Sequence, residues 1–250
     1  MADARFEQLN NLPCGSRALY TMTLLVLGVG YLFAMIQIFE VHAGRDGKPG
    51  LSTTDLVIAY SGSHADTRLE AALKGPMKDM LPAQEREIIF DWIHMKGGVV
   101  HRGGGEEEFN KEVMPVIEKR CLACHGGQNP HIPDLSSFAG VSGVVTKDTG
   151  MDVFSLIRIS HIHLFGLTFI FFITSTIFVQ THIRPAWFKC MIIATPFFTI
   201  LLDIASWYLT KIYMGFAWVV MIGGILMGLT FAIQWLVSMY QMWFYTNPKD

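Results

Sequence analysis

Four long apolar segments constrain the fold of this 250-residue chain more than any other feature. Each is close to the roughly 20 helical residues that cross a hydrocarbon layer of about 30 Å. They run over residues 18–39, 160–180, 190–209 and 213–240. With 51% hydrophobic and only 16% charged residues, the composition is typical of an integral membrane protein with one aqueous portion. We therefore predict an all-α protein with four transmembrane helices in contact with membrane lipid.

The basic residues of the short connections predict the orientation of these helices. Loops rich in Lys and Arg stay on the cytoplasmic side of a membrane. The cytoplasmic ends carry four such residues, whereas the connection between the third and fourth segments has one: Arg5, Arg17, Arg184 and Lys189, against Lys211. Both termini are therefore expected in the cytoplasm of a bacterium, with the protein in the inner membrane. The long stretch between the first two segments is then periplasmic.

This topology divides the chain into three parts. Residues 1–40 form a cytoplasmic segment and an anchor helix, residues 41–157 a periplasmic domain, and residues 158–250 a three-helix transmembrane domain. The first segment is expected to be retained, because its apolar core is too long for a signal peptide. Residues 40–157 contain 17 acidic and 12 basic residues, which would attract a partner with a basic face, although an ordinary solvated surface is equally compatible. The near-neutral chain carries no basic block, so no nucleic-acid partner is expected.

The periplasmic stretch contains the motif Cys121-x-x-Cys124-His125, within EKRCLACHGGQNPH. In a c-type haem site both thiols bond to the porphyrin vinyl groups and the histidine ligates the iron. A zinc site would need a second cysteine pair at finger-like spacing, and a redox dithiol would need a thioredoxin-like βαβ pattern. The sequence has neither, so the motif predicts one covalent haem c. The isolated Cys14 and Cys190 receive no role.

The residues around the motif resemble the two halves of a small c-type cytochrome in reversed order. Before it, EEFNKEVMPVIEKR has the amphipathic pattern of the helix that leads into the haem motif in that family, and Pro115 would bend or restart this helix. After it, the stretch 133–135 is similar to the segment whose carbonyl, here that of Pro133, accepts the proximal imidazole N–H. Residues 67–98 are similar to the family's C-terminal half, a methionine loop followed by a helix that begins near Pro82. The resemblance implies a membrane-anchored bacterial monohaem cytochrome whose domain is circularly permuted, which is possible because the first and last helices of such domains cross and leave their free ends close.

The resemblance also implies a methionine as the sixth iron ligand. After His125 only Met151 precedes the next apolar segment, which leaves too little chain to complete the domain. The ligand is therefore expected upstream, with Met77 favoured over Met80 because it leaves more loop before the helix. A histidine ligand would give a lower reduction potential than a thioether. The histidines that could provide it are His94, His101 and His131.

A second group of ionisable residues lies at the predicted periplasmic ends of the apolar segments. It consists of Glu40, His42, Arg158, His161, His163 and Asp203. An ionisable residue within a span is costly and needs a partner. Three interpretations remain open: a quinol site formed by Asp203 with His161 or His163, a b-type haem between His42 and one of those two histidines, or an interfacial cluster in which Asp203 pairs with Arg158 or a histidine.

Together these features predict one-electron transfer by a membrane-bound monohaem c-type cytochrome. We expect a subunit of a respiratory or photosynthetic membrane complex, with other membrane subunits and a periplasmic electron donor or acceptor as partners. An electron-carrying subunit is favoured over a catalytic one. The alternative is a quinol-oxidising, or b-haem-carrying, membrane subunit that passes electrons to its haem c.

Overall fold

The computed structural model describes residues 8–75, 77–95, 105–129 and 132–245. Within them the regular structure is helical, apart from one isolated antiparallel β-bridge between Thr67 and Lys147. In chain order the α-helices are α1 (Cys14–His42), α2 (Thr53–Ser61), α3 (Arg68–Lys74), α4 (Ala83–His94), α5 (Glu106–Glu108), α6 (Met114–Arg120), α7 (Leu122–His125), α8 (Phe138–Val144), α9 (Val153–Phe178), α10 (Ala186–Thr210) and α11 (Ala217–Trp243).

Four of these helices, α1, α9, α10 and α11, are long and apolar enough to cross a membrane. This confirms the predicted all-α, multi-pass membrane protein. All four begin at different residues from the apolar segments, and α9 shows why: it starts at Val153, where the sequence is amphipathic rather than uniformly apolar. Apolar length measures only the part of a helix that suits hydrocarbon, whereas backbone hydrogen bonding continues beyond it.

The chain divides into two compact units. The membrane unit comprises residues 1–37 and 153–250, and the inserted unit comprises residues 38–152. The sequence analysis had placed the limits of the intervening domain at residues 41 and 157.

A proline inside α10 determines how three helices of the membrane unit are linked. Pro196 has no N–H, so the carbonyl of Ile192 one turn earlier has no donor within its own helix. Gln234 of α11 supplies one, with its Nε2 donating to that carbonyl at 3.1 Å. The Oε1 of Gln234 in turn accepts from Ser175 Oγ of α9 at 3.2 Å. One fully buried amide therefore satisfies a free carbonyl and connects α9, α10 and α11.

Helix α1 contacts α11 through close backbone approach and aromatic packing. The Trp235 indole donates to the Leu24 carbonyl at 2.7 Å. A Cβ at Gly28 would lie 2.9 Å from the indole nitrogen, so only glycine leaves room for this contact. Tyr31 stacks on Phe231 with ring centroids 4.2 Å apart. These contacts hold α1 against α11, while most of its apolar side chains stay exposed, as expected for a lipid-facing helix.

The described residues of the inserted unit form an apolar core to which segments on both sides of positions 96–104 contribute. Trp92 at the end of α4 packs against Phe109 with ring centroids 5.2 Å apart, and Phe138 of α8 contacts both rings. The other buried apolar members are Leu69, Leu73, Leu81, Ile89, Ile93, Val113, Val116, Ile117, Leu135, Val141, Val144 and Val145. The two stretches that the sequence analysis compared with cytochrome halves therefore fold as one body.

The helical stretch that leads into the haem motif changes its hydrogen bonding before Pro115. Phe109–Val113 forms a π-helical turn, in which the Met114 N–H donates to the Phe109 carbonyl five residues earlier. Pro115 then stands in the first turn of α6, where its missing N–H costs little. The predicted bend or restart at Pro115 thus takes the form of a π-turn, a common way to absorb a helix irregularity.

Two glycines of the inserted unit pack against each other next to the bridge between Thr67 and Lys147. Beside the bridge, the Arg68 N–H donates to Thr146 O at 2.8 Å and the Asp148 N–H to Asp66 O at 2.9 Å. Gly62 and Gly150 lie back to back there, both with positive φ, and a Cβ on Gly150 would come within 2.5 Å of the Tyr60 backbone. No other residue fits at this contact.

We predict that Gly150→Ala destabilises the inserted unit by roughly 2–4 kcal/mol, because the methyl group meets backbone and the positive φ is strained. Thermal denaturation of the full-length protein in detergent, with limited proteolysis to assign the transition, measures this. Gly143→Ala in α8 is the matched control, since a Cβ there meets nothing within 4 Å. Equal melting temperatures for the two variants would contradict the interpretation.

Candidate functional site

The Cys121–His125 motif forms a single helical turn at the end of α6. The N–H groups of Cys124 and His125 both donate to the Cys121 carbonyl, at 3.1 and 2.8 Å. Residues three and four apart lie on the same side of a helix, so both thiols and the imidazole are on one face. Both cysteines are free, Cys124 is exposed and Cys121 is half-buried. The turn therefore presents the donor set that covalent haem attachment requires.

The His125 ring is oriented by the loop that follows it. Its Nδ1 lies 2.8 Å from the Pro133 carbonyl, so the hydrogen bond that the sequence analysis placed there is present. A carbonyl can only accept, which assigns the proton to Nδ1 and leaves Nε2 with a free lone pair. The buried Leu135 donates its N–H to the His125 carbonyl at 2.9 Å. Ring and backbone of the candidate proximal ligand are thus both fixed.

The loop itself is held tightly by two glycines that the sequence analysis did not single out. Gly127 has a φ of 80°, and a Cβ there would come within 2.9 Å of Asp134 Oδ2. A Cβ at Gly140 would overlap the Asp134 carbonyl. Asp134 accepts hydrogen bonds from Ser136, which hold the pKa of its carboxyl below the usual value. The close packing fixes the position of Pro133.

The thiols do not match the alternative chemistries for a Cys-x-x-Cys motif. Burial raises the pKa of the Cys121 thiol, whereas a redox-active dithiol depends on a lowered thiol pKa. Within the described ranges, no group of three or more His, Cys, Asp or Glu side chains could hold a metal ion. The described part of the site therefore lacks the closed tetrahedral ligand set of structural zinc.

The two candidate methionines lie on a short turn before α4. Met77 precedes the 3₁₀ turn Lys78–Met80, and Leu81, directly after it, is buried in the core. Arg86 of α4 donates to the Lys78 carbonyl at 3.1 Å and ties this turn to the helix. The thioether residues are 37% and 64% exposed for Met77 and Met80, so both remain available as ligands. The preference for Met77 stays a prediction.

The histidine alternatives to a methionine ligand fare differently. His94 is already engaged, because its Nε2 lies 2.9 Å from Oε1 of the buried Glu70. Glu70 also caps α3 through Thr67, which fixes the carboxylate in place. His101 and His131 lie outside the described residues.

Helix α6, which delivers Cys121, is anchored to the start of α4. Glu85 accepts from Lys119 Nζ at 2.9 Å and from Arg120 Nε at 2.6 Å. Since Trp92 meets Phe109 at the opposite ends, α4 and the stretch 106–120 run antiparallel. The packing of α4 against residues 106–120 therefore sets the position of the Cys121–His125 motif relative to α4, the helix that follows the methionine turn.

In the membrane unit, His163 and Asp203 meet around Trp207. The His163 ring stands edge-on to the Trp207 indole with centroids 5.3 Å apart, and its Nδ1 lies 3.0 Å from the Ile159 carbonyl. Asp203, one turn before Trp207 and only 7% exposed, has this indole as a hydrogen-bonding neighbour. Nearby, Ser160 and Tyr208 hydroxyls lie 2.9 Å apart. His163 and Asp203 are thus brought together by Trp207, which the sequence analysis did not include in this group.

The described contacts of Asp203 differ from those proposed for an interfacial cluster. Among the described residues, no ion pair joins its carboxylate to Arg158 or to a histidine, and its hydrogen-bonding neighbour is Trp207. Helix rotation explains the difference, because Arg158 and His161 are exposed on α9 while Asp203 is buried. His161 contacts Phe165, with ring centroids 5.1 Å apart, and does not join His163. The three interpretations of this group stay predictions.

His42 belongs to the inserted unit, at the C-terminal end of α1. Its ring centroid lies 6.2 Å from that of Tyr60. The Nδ1 atom is buried and has no hydrogen-bond partner among the described residues. Glu40, on the same helix, is exposed. The b-haem interpretation of His42 therefore stays a prediction.

Comparison with known proteins identifies only the membrane part. A family model described as a transmembrane helical domain matches residues 151–249. These residues cover α9, α10 and α11, so the match agrees with a multi-pass membrane domain. No curated protein and no solved structure matches the chain.

We predict that the Glu85 contacts make the inserted unit sensitive to acid. Hydrogen bonds from Arg120 and Lys119 lower the pKa of Glu85 from its ordinary 4.5 to about 2. A lowered carboxyl pKa contributes stability above pH 4.5, and this contribution is lost as the pH falls toward 2. Melting temperature measured against pH should fall less steeply across this window in Glu85→Gln than in the parent protein. Glu107→Gln, an exposed control, should keep the parent slope, and identical slopes for all three proteins would refute the assignment.

Proposed function

We propose that the protein is a membrane-bound electron carrier whose inserted unit holds one covalent haem c. The observation that carries the proposal is the Cys121–His125 turn, in which the Pro133 carbonyl fixes the imidazole and leaves Nε2 available to iron. Metal-binding histidines typically donate their other ring N–H to a carbonyl or carboxylate in this way, which fixes the orientation of the ring. When bound, the haem supplies a one-electron Fe(III)/Fe(II) couple.

The residues of the inserted unit fit this group. Cys121 and Cys124 would hold the porphyrin through their thiols, and His125 together with Met77, or alternatively Met80, would ligate the iron. Electron carriage asks for little rearrangement between oxidation states. The close-packed loop after the motif and the shared apolar core provide that rigidity.

The antiparallel packing of α4 against residues 106–120 supports the permuted order of the halves. Trp92 and Phe109, only 17 positions apart, are in contact, so a short connection is enough to join the methionine half to the haem-motif half. The free ends of the domain then fall elsewhere, at the bridge between Thr67 and Lys147. A permuted c-type cytochrome domain needs both features.

The basic residues of the short loops support a placement of the inserted unit on the periplasmic side of a bacterial inner membrane, with both termini cytoplasmic. Covalent haem attachment in that compartment agrees with this placement. The partners would be a periplasmic electron donor or acceptor and other membrane subunits of a respiratory or photosynthetic complex. Four spans exceed what an anchor requires, which favours contact with such subunits.

We predict that the purified chain carries one covalent haem, which adds about 616 Da to the polypeptide. Mass spectrometry with a pyridine haemochrome spectrum measures it, in a host that attaches haem c. Cys121→Ala combined with Cys124→Ala should abolish the added mass. The control, Cys14→Ala combined with Cys190→Ala, removes the other two thiols and should retain it. An unmodified parent chain would disprove the proposed function.

A second prediction concerns the distal ligand. Met77→Leu should remove the near-infrared sulfur-to-iron band of the oxidised protein and lower its reduction potential, because a thioether stabilises ferrous iron. Met80→Leu should leave both unchanged. The reverse result would assign the ligand to Met80, and a parent protein without the band would exclude both methionines.

A further inference from the structure

A groove between α10 and α11 of the membrane unit has the features of a ligand site. Its volume is about 350 Å³, at the lower end of the range for small-molecule sites. Most of its lining is apolar and includes Phe198, Leu202, Ile222 and Leu226. These side chains are exposed on helices that span the membrane, so the groove opens toward hydrocarbon.

Thr199 places an unused hydroxyl in this groove. The residue is only 4% exposed and lines the groove wall. Its hydroxyl has no hydrogen-bond partner within the described part of the chain. Threonines elsewhere in these helices bond to a carbonyl of the preceding turn, as Thr174, Thr195 and Thr230 do. A buried hydroxyl without a partner is costly in an apolar environment, so this one is suited to a ligand.

Asp203 lies one turn after Thr199, behind the same part of the groove. The groove wall there is Gly223 of α11, where a Cβ would lie 3.6 Å from Asp203 Oδ1 and 3.4 Å from Thr199 Cγ2. The absent side chain leaves the carboxyl close to the groove. The Asp203 side chain is buried, has the Trp207 indole as a hydrogen-bonding neighbour and forms no ion pair among the described residues. Asp203 does not itself line the groove, but a ligand that reaches Gly223 would meet the Thr199 hydroxyl as a donor and a carboxyl oxygen of Asp203 as an acceptor.

The depth of these two groups limits the chemistry of the occupant. Asp203 lies seven residues before the C-terminal end of α10, which corresponds to about 10 Å along the helix. A phospholipid keeps its polar groups at the headgroup level and offers only acyl chain at this depth. A quinone or quinol instead carries its oxygens on a ring that is soluble in hydrocarbon. Of these two membrane components, only the quinol could use both groups at once, because its hydroxyls can accept from Thr199 and donate to Asp203, whereas the oxygens of a quinone only accept.

We propose that the groove binds the ring of a lipid-soluble quinol, with Thr199 and Asp203 hydrogen-bonded to its oxygens and Gly223 providing access. The ligand class is that of the quinol alternative considered from the sequence, but the residues differ. His161 has no part in the site, and Thr199 and Gly223, which the sequence analysis did not identify, form it. The binding site does not depend on the haem, although a role as electron donor would rest on the proposed function.

The test measures binding of decylubiquinol, kept reduced, to the full-length protein in phospholipid nanodiscs by calorimetry. Thr199→Val should weaken binding about 5- to 10-fold, the effect of one hydrogen bond worth about 1 kcal/mol. Its control is Thr176→Val, since that exposed hydroxyl already bonds to the Phe172 carbonyl at 2.7 Å. Gly223→Leu should abolish binding by filling the groove. Its control is the adjacent Gly224→Leu, where a Cβ meets nothing within 4 Å.

A photoreactive azidoquinone should label residues in α10 and α11. Labelling found only outside these two helices would overturn the proposal. The proposal is also overturned if Thr199→Val and Gly223→Leu bind the probe as tightly as their respective controls. If extraction recovers phospholipid from the groove and Thr199→Val leaves decylubiquinol binding unchanged, the groove holds acyl chains and the quinol assignment is wrong. A failure of the proposed function can be distinguished from a failure of this proposal. It would appear as a polypeptide without the added mass of haem, and this result does not depend on the affinity for quinol.

Discussion

The contact of Trp92 with Phe109 is the interaction on which the inserted unit depends. It brings the end of α4 against the beginning of the stretch that leads to Cys121, and it is fully buried. Aromatic pairs of this kind contribute about 0.5–1.5 kcal/mol beyond the area they bury. Because the two helices run antiparallel from this point, Glu85 reaches Arg120 at their other ends. The position of the haem motif relative to the methionine turn thus follows from one apolar contact and one exposed ionic contact.

Local signals explain what could be predicted from the sequence. The four spanning helices follow from apolar length alone, and the hydrogen bond between His125 and Pro133 follows from a short motif and its neighbours. The contact between His125 and Pro133 could be predicted more readily than the partner of Asp203, because it joins residues only eight positions apart. The pairing of Asp203 with Arg158 or a histidine stays a prediction, because it depends on how α9 and α10 are rotated, and apolar composition carries little information about rotation when most positions are hydrophobic.

Other contacts could not be predicted because they join residues that are distant in the sequence. Gln234 satisfies the carbonyl that Pro196 leaves free, 42 positions before it. A proline within a span indicates that some donor is needed, but it does not identify the donor. The contact of Gly62 with Gly150 is similar, since each glycine alone is compatible with an ordinary turn. Their role becomes evident only in the folded unit, where Gly62 and Gly150 come into contact.

The buried polar groups of the membrane unit differ in what surrounds them, and this difference distinguishes packing from binding. Gln234 has partners on two other helices and acts as a structural link between them. Ser238 also lacks a hydrogen-bond partner for its hydroxyl among the described residues, but that oxygen is enclosed by protein and no ligand can reach it. Thr199 combines an unused hydroxyl with an adjacent groove. A polar group in hydrocarbon is tolerated when it is satisfied, and Thr199 is satisfied only if something enters from the lipid.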